Sequence, residues 1–120
     1  FGDNLPRPLH NKNILDLVSK LDSIDFEPGV RYAYTNTAYI LLSEIISQVS
    51  GMSYGAFIKE NIFDPLQMNA SFVFESEKAL PELLALGYSP SEDGTFHPDF
   101  YQDTSTTGPG GIFSMTADLV

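Results

Sequence analysis

Apolar side chains recur with the period of an α-helix in three stretches of the chain. The first predicted helix runs from Lys12 to Leu21, where Asn11 or Asn13 can cap it. The second is the strongest and ends at Gly51, where a C-terminal glycine belongs. Its apolar stripe consists of Tyr39, Leu42, Ile46 and Val49, broadened by Leu41 and Ile45. A stripe of this kind is typical of a helix face turned towards a protein core.

A third helix is predicted from Ser53, which can cap it, to about Phe63, before Pro65. Pro28-Gly29 marks a turn between the first two helices. After Pro65 the pattern weakens. Residues 70–74 predict a short strand, residues 81–88 a helical turn, and residues 89–109 a long loop rich in Ser, Thr, Pro, Asp and Gly. A final element follows, with Thr116 as a cap and Asp118 in its first turn.

Together these elements predict a mainly α fold with long irregular loops and at most short strands. The helical part covers about residues 12–64, the loop-rich part about residues 65–120, and residues 1–11 form an irregular arm. The core is expected to contain four phenylalanines: Phe57, Phe63, Phe72 and Phe74. With 120 residues, 42% of them hydrophobic, the chain can form one compact domain but not two.

Composition disfavours nucleic-acid and membrane-surface roles. The formal charge is −10, from 16 acidic and 6 basic residues, so the chain repels phosphate backbones and anionic lipid surfaces. No run of about eighteen apolar residues is present, so no segment is predicted to span a membrane. The chain has no cysteine and therefore neither a disulfide framework nor thiolate chemistry.

Gly51-Met52-Ser53-Tyr54-Gly55 matches G-x-S-x-G, the nucleophile elbow of many hydrolases. That motif requires a strand that turns sharply into a helix. Here the preceding segment is the best predicted helix, and its end and the next helix start already explain Gly51 and Ser53. His10 and His97 lie in irregular stretches with no evident way to serve Ser53. We therefore reject the elbow interpretation.

The remaining polar residues indicate no metal centre. His97, Asp99 and Asp103 lie in the predicted loop without a recognised ligand spacing, so they are interpreted as solvated side chains. The sequence predicts no metal site and no cofactor. Gly110 and Gly111 are expected to permit a close backbone approach rather than to contact a substrate.

Tyr34 and Asn36 stand at the start of the second helix. From these residues alone, Asn36 or Thr37 would cap the helix and Tyr34 would pack beneath it. The surrounding motifs change that interpretation. They are Phe26-Glu27-Pro28-Gly29, Tyr34-Thr35-Asn36, Ser50-Gly51-Met52-Ser53-Tyr54, Pro65-Leu66-Gln67-Met68, residues 85–90 (ALGYSP) and residues 108–119 (GPGGIFSMTADL).

In this order the motifs closely resemble the serine β-lactamase-like family, which includes class C β-lactamases, penicillin-binding D-Ala-D-Ala carboxypeptidases and related esterases. The resemblance runs from about Phe26 to the end of the chain. It implies the helical central segment of the β-lactamase-like α/β fold. Two residues depart from the family pattern: Thr35 replaces a Ser or Ala, and Gln67 replaces a glycine.

The resemblance implies a catalytic role for Tyr34 and a substrate-binding role for Asn36. Tyr34 would take the proton of an attacking serine and pass it to the leaving group, and Asn36 would donate hydrogen bonds to the substrate and orient a lysine. A phenol titrates near pH 10 in water, so a phenolate base needs neighbouring ammonium groups in a cleft that holds little water. Whether the tyrosine or the lysine is the base stays open.

The family's other two elements, S-x-x-K and K-T-G or His-x-Gly, do not occur in this chain. The chain is therefore expected to be a central portion of a secreted or envelope-associated serine hydrolase, inactive by itself, whose substrate is an ester, a β-lactam or a D-amino-acid peptide. The alternative is a non-catalytic binding module or a silent family member. Apolar surface left uncovered would favour self-association of the portion.

Overall fold

The computed structural model describes residues 9–75, 84–99 and 104–120. Within these ranges the chain contains three α-helices and six short strands. The elements are β1 (Leu9–His10), α1 (Asn11–Val18), α2 (Asn36–Ser50), α3 (Tyr54–Ile58), β2 (Phe72–Val73), β3 (Gly87–Pro90), β4 (Phe96–Asp99), β5 (Thr104–Ser105) and β6 (Ile112–Phe113). A π-helix, Lys59–Phe63, continues α3, and a 3-10 turn, Thr116–Asp118, lies near the end.

The prediction of a mainly α fold is wrong, because the described strands form three two-stranded sheets. β1 and β5 pair in parallel, whereas β2 pairs with β6 and β3 with β4 in antiparallel orientation. The predicted strand at residues 70–74 is confirmed as β2. The predicted loop at residues 89–109 instead contains β4 and β5. Strands of two to four residues are too short to show the alternating pattern that identifies a strand.

Residues 91–95 form the turn that joins β3 to β4, and their polar composition is the reason why this region was predicted to be a loop. The Ser91 N–H donates to the Thr95 carbonyl at 2.8 Å, and Gly94 adopts a left-handed φ of 81°. The Thr95 hydroxyl and N–H, which both donate to Asp93, hold the pKa of that carboxyl below its usual range. The predicted helical turn at residues 81–88 is wrong where it can be seen, because residues 84–86 are irregular and β3 begins at Gly87. Residues 81–83 lie outside the described ranges.

The helix boundaries agree with local signals more closely than the strands do. α1 begins at Asn11 and ends at Val18, three residues before the predicted end. Its cap position is His10, not the predicted Asn11 or Asn13, although the Asn13 side chain accepts the His10 N–H at 2.9 Å. Ser53 is confirmed as the cap of α3, since its hydroxyl accepts the Ala56 N–H at 3.2 Å. Thr116 is not a cap, because Met115 occupies that position.

The apolar core lies between the third helical segment and β2. Ile58, Phe63 and Val73 are buried, and Tyr54, Phe57 and Met68 pack against them. Phe72 and Phe74, also expected in the core, are half-buried; Phe72 stacks on Phe113 with ring centroids 5.2 Å apart.

The π-helix brings two core residues onto one side. Five residues separate Ile58 from Phe63, and in a regular α-helix that spacing would place them about 140° apart. Bonds from residue i to i+5 enclose one more residue in the turn, so the two side chains stack along the same face. The Asp64 N–H donates to the Lys59 carbonyl at 2.8 Å in this way. The wider turn therefore allows both side chains to be buried, with 7% and 4% of their surface exposed.

The apolar stripe of α2 is not buried in this chain. Tyr39, Leu42 and Val49 are 44%, 54% and 83% exposed, whereas Ile40 and Ser43 are the buried residues of the helix. The expectation that the stripe faces the core is therefore wrong for the described residues. On the packed side of α2, Ile40 is buried, and Ser43 and Glu44 make polar contacts with Asn11 and Thr107. No helix in the described ranges is long and apolar enough to cross a membrane.

Polar contacts also join residues 114–118, near the end of the chain, to residues 70–71. The Asp118 carboxylate accepts the Ala70 N–H at 2.9 Å and the Ser71 hydroxyl at 2.7 Å. The Ser71 and Ser114 hydroxyl oxygens lie 2.7 Å apart. The 3-10 turn is thereby tied to the segment that leads into β2.

Gln67 supplies a stability test, because it has a left-handed φ of 57°, a conformation that favours glycine. This conformation costs a residue with a Cβ about 1–2 kcal/mol, partly offset in the glycine variant by the greater freedom of the unfolded chain. We expect Gln67→Gly to raise the free energy of unfolding by up to about 1 kcal/mol.

The control is the same substitution inside a helix. Gln48 lies on the exposed side of α2, so Gln48→Gly is expected to lower the free energy of unfolding by about 1 kcal/mol. Urea denaturation of the two variants measures both effects. Destabilisation of similar size at the two positions would contradict the strain assigned to Gln67.

Candidate active site

The segment that leads to Tyr34 begins with a tight turn. The Val30 N–H donates to the Glu27 carbonyl at 3.2 Å, and Gly29 has a φ of 82°. Proline at the second position and a left-handed glycine at the third define a type II turn, which confirms the predicted Pro28-Gly29 turn. The Arg31 guanidinium lies 4.3 Å from the centre of the Phe26 ring, a cation–π contact that braces the turn from outside.

Thr35 caps α2. Its backbone is extended, with φ −149° and ψ 135°, and its hydroxyl accepts the Thr37 N–H at 3.2 Å. The prediction that Asn36 or Thr37 caps the helix is therefore wrong by one or two residues. The correction has a chemical consequence, because the Asn36 carboxamide is not used to satisfy the helix end. The signal in the sequence was the hydroxyl residue Thr35 between Tyr34 and Asn36, since threonine is a common cap residue.

Tyr34 and Asn36 are both accessible on the surface. The Tyr34 side chain is 62% exposed, and its ring centroid lies 5.7 Å from that of Tyr39, with the planes tilted by 43°. Asn36 is the exposed first residue of α2. Across residues 9–75, 84–99 and 104–120, neither the Tyr34 hydroxyl nor the Asn36 carboxamide has a hydrogen-bond partner. Tyr34 thus does not pack beneath the helix, and the proposed roles of the two residues stay predictions.

The helix start adds an electrostatic contribution. The first backbone N–H groups of an α-helix have no partner within the helix and carry a partial positive charge. Asn36 belongs to the first turn of α2 and Tyr34 precedes the cap by one residue. Negative charge that develops in this region is therefore favoured over positive charge.

A cleft of about 1080 Å³ lies elsewhere on the molecule. Its walls come from α3, from Lys59 of the π-helix and from residues 69–75, 84–85 and 113–115. Neither Tyr34 nor Asn36 lines it. We identify the candidate site by the chemistry of Tyr34 and Asn36 and not by the size of the cleft. Tyr34 and Asn36 accordingly lie on open surface in the part of the chain that the structure describes.

Rejection of the G-x-S-x-G interpretation is confirmed. Gly51 ends α2 in the left-handed conformation with φ 71°, and Ser53 caps α3. The segment that leads directly into Ser53 is the helix α2 and not a strand, so the geometry of a nucleophile elbow is missing at this position.

The other candidate positions are distributed over separate elements. His97 lies in β4, with its Nδ1 atom 3.3 Å from the Ser91 hydroxyl oxygen. Asp103 is outside the described residues, and within them no three acidic or histidine side chains gather into a metal-binding group. The close backbone approach expected at Gly110 and Gly111 is found at Gly111, whose carbonyl accepts the Phe74 N–H at 2.6 Å, but not at Gly110. The tightest approach is at Gly108, which was not predicted. A Cβ atom there would lie 2.3 Å from the Tyr39 carbonyl oxygen, whereas nothing stands within 4 Å of one at Gly110.

Comparison with known proteins identifies the family. A sequence model of the beta-lactamase family matches residues 6–120. Penicillin-binding protein 4* of Bacillus subtilis is 36% identical over 122 residues, which cover 91% of this chain and 27% of that protein. A D-aminopeptidase of Gluconobacter oxydans is 26% identical over 98 residues, or 82% of this chain and 18% of that protein. The octameric penicillin-binding protein homologue from Pyrococcus abyssi shares 34% identity at a TM-score of 0.82, covering 98% of this chain and 26% of its own.

The chain belongs to the beta-lactamase family, and the resemblance seen in its motifs is confirmed. It spans about a quarter of the length of the B. subtilis and P. abyssi proteins.

The cap at Thr35 gives a direct test of how the site is held. Thr35→Ala removes the hydroxyl that accepts the Thr37 N–H, so we expect the free energy of unfolding to fall by about 1 kcal/mol. Thr35→Ser retains a capping hydroxyl and should stay within about 0.5 kcal/mol of the parent. Thermal or urea denaturation measures the difference. Equal stability of the Ala and Ser variants would show that the cap does not hold the start of α2.

Proposed function

We propose that this chain is the central part of a serine hydrolase that works by acyl transfer on an ester, a β-lactam or a D-amino-acid peptide. A serine from an S-x-x-K element outside this sequence attacks the substrate carbonyl and forms an acyl-enzyme. Tyr34 accepts the proton of that serine and delivers it to the leaving group, and Asn36 donates hydrogen bonds to the bound substrate. Water then releases the acyl group.

One observation carries this proposal. Tyr34 and Asn36 are exposed, have no hydrogen-bond partner among the described residues and lie on either side of the residue that caps α2. A phenol serving only to pack would be expected to lie under the helix. Family membership over residues 6–120 supports the assignment, because the matching family is one of serine hydrolases.

The names of the relatives support the proposed substrate class. The B. subtilis relative is a penicillin-binding protein and the G. oxydans relative a D-aminopeptidase. The first name refers to binding of penicillin and the second to cleavage of a peptide at a D-amino-acid residue, and both kinds of molecule carry an amide carbonyl. We propose that the full-length protein acts on a carbonyl of this kind, and that it is periplasmic, envelope-associated or secreted, where peptidoglycan-like substrates occur.

The walls over the site are proposed to come from the rest of the full-length protein. The relatives are roughly four times as long as the aligned portion, and Tyr34 and Asn36 are on open surface here. The uncovered stripe of α2 is proposed to pack against the same remainder, or against a second copy when the portion is isolated.

The full-length protein tests the role of Tyr34. Tyr34→Phe removes the hydroxyl but keeps the ring that contacts Tyr39, so kcat is expected to fall by about 10²–10⁴ with little change in KM. The matched control is Tyr32→Phe, an 86% exposed tyrosine two residues earlier, which should retain the parent kcat. Steady-state kinetics with a chromogenic ester or cephalosporin supplies the measurement. A Tyr34→Phe enzyme with the same kcat as the Tyr32→Phe control would contradict the proposal.

The isolated chain gives a complementary test. It lacks S-x-x-K, so no acyl-enzyme can form through that element, and the 120-residue chain is expected to show no serine-dependent turnover. Incubation with a fluorophosphonate followed by intact mass spectrometry should leave its mass unchanged. A covalent adduct on any of its serines would contradict the proposed division of the site. If the full-length protein also formed no adduct, the silent or binding-module alternative would replace the hydrolase.

A further inference from the structure

Asn11 is a buried carboxamide at the junction of three segments. It is the first residue of α1, only 9% exposed, and it contacts α2 and residue 107. Its neighbour Ser43 on α2 is 1% exposed. Buried polar groups of this kind are stable only when their hydrogen bonds are made, and a fully satisfied network fixes the relative position of the segments it joins.

The network uses both ends of the Asn11 side chain. The two N–H groups of its Nδ2 atom are shared among three oxygens within hydrogen-bonding distance: Glu44 Oε1 at 2.9 Å, Thr107 Oγ1 at 3.0 Å and Ser43 Oγ at 3.1 Å. Its Oδ1 atom accepts the Thr107 N–H at 2.9 Å. The Ser43 hydroxyl in turn lies 2.8 Å from the Ile40 carbonyl oxygen and 3.0 Å from that of Thr107, either of which can accept its proton.

Only a carboxamide satisfies these partners at this size. Asparagine offers two N–H donors and one carbonyl acceptor on adjacent atoms, and the two sides face a carboxylate and a backbone N–H respectively. An aspartate of the same shape would lose the donors and place a second negative charge beside Glu44. The requirement is therefore chemical and not merely one of volume.

The clamp continues towards the candidate active site. Thr107 is followed by Gly108, which has a φ of 110° and packs so closely on α2 that a Cβ would lie 2.3 Å from the Tyr39 carbonyl oxygen. The Tyr39 ring contacts the Tyr34 ring. A continuous path of contacts thus runs from Asn11 through Thr107 and Gly108 to the residue that supports Tyr34.

We propose that Asn11 is a positioning residue for this site: its carboxamide clamps Thr107 and Gly108 onto α2, and the clamped backbone holds Tyr39 where its ring orients Tyr34. The proposal rests on the catalytic role proposed for Tyr34. It also makes a structural claim that does not depend on catalysis, namely that the order of residues 34–40 is coupled to the order of residues 104–111.

The kinetic test uses the full-length protein with Asn11→Ala, Asn11→Asp and Gly108→Ala. Displacement of a catalytic group by about 1 Å can reduce the rate by roughly 10²-fold, so kcat is expected to fall by about 10- to 10²-fold in each variant, with KM changed by less than about threefold. Asn11→Asp should be at least as slow as Asn11→Ala, although it preserves shape.

Gly51→Ala is the matched control. Gly51 and Gly108 both have positive φ, so alanine is strained at either position, but nothing stands within 4 Å of a Cβ at Gly51. Gly51 also lies at the far end of α2, about 22 Å from Asn36 by the rise of a 15-residue helix. Its kcat should remain within about twofold of the parent. The clamp has no positioning role if Gly108→Ala and both Asn11 variants match Gly51→Ala in kcat.

Amide hydrogen exchange separates this outcome from failure of the proposed function. Asn11→Ala is expected to speed exchange in residues 34–40 together with residues 104–111, while Gly51→Ala leaves both segments as in the parent. Faster exchange confined to residues 104–111 would overturn the inference even if Tyr34→Phe abolishes activity. Coupled exchange with a fully active Tyr34→Phe enzyme would support the clamp and refute the catalytic role of Tyr34.

Discussion

The described structure depends on hydrogen bonds that join residues far apart in sequence, and the clearest is the one that Asn11 makes with Thr107. Ninety-six residues separate the two positions, and the adjacent pairing of β1 with β5 runs alongside them. Ser71 and Asp118 make a comparable contact across 47 residues. Only four apolar residues of the described ranges are buried, so polar contacts of this kind largely determine how the segments are arranged. Each contact is directional, so it specifies where a segment lies as well as holding it.

Local chemistry explains which parts of the fold could be predicted from sequence. Gly51, Ser53 and Pro28-Gly29 act within a few residues of themselves, and the helix ends and the turn that they predict are confirmed. The strands are different, since β1, β5 and β6 have two residues each and exist only through partners elsewhere in the chain. Helical periodicity also implied that α2 packs through its apolar stripe. In the described residues it packs through Ile40, Ser43 and the polar network instead.

The candidate site shows the same division. Motif resemblance singled out Tyr34 and Asn36, and the structure leaves both polar groups free of partners among the described residues. The resemblance identified Thr35 only as a departure from the family pattern and not as the cap of α2. Because the Thr35 hydroxyl caps the start of the helix, neither Tyr34 nor Asn36 is used for that purpose. Asn11 and Gly108 could not be found from a single sequence, because their importance lies in contacts with Ser43 and Tyr39 that only the fold creates.

The π-helix at Lys59–Phe63 has a consequence for how this segment is compared with other sequences. A turn that closes from residue i to i+5 contains one residue more than a regular α-helical turn. Side chains after the π-helix are therefore rotated about the helix axis relative to the positions that a continuous α3 would give them. A relative with one residue fewer between Ile58 and Phe63 could form an uninterrupted α-helix and still present both positions to its core. In alignments, a single-residue gap here would mark a change of helix type, with the packing of β2 unchanged.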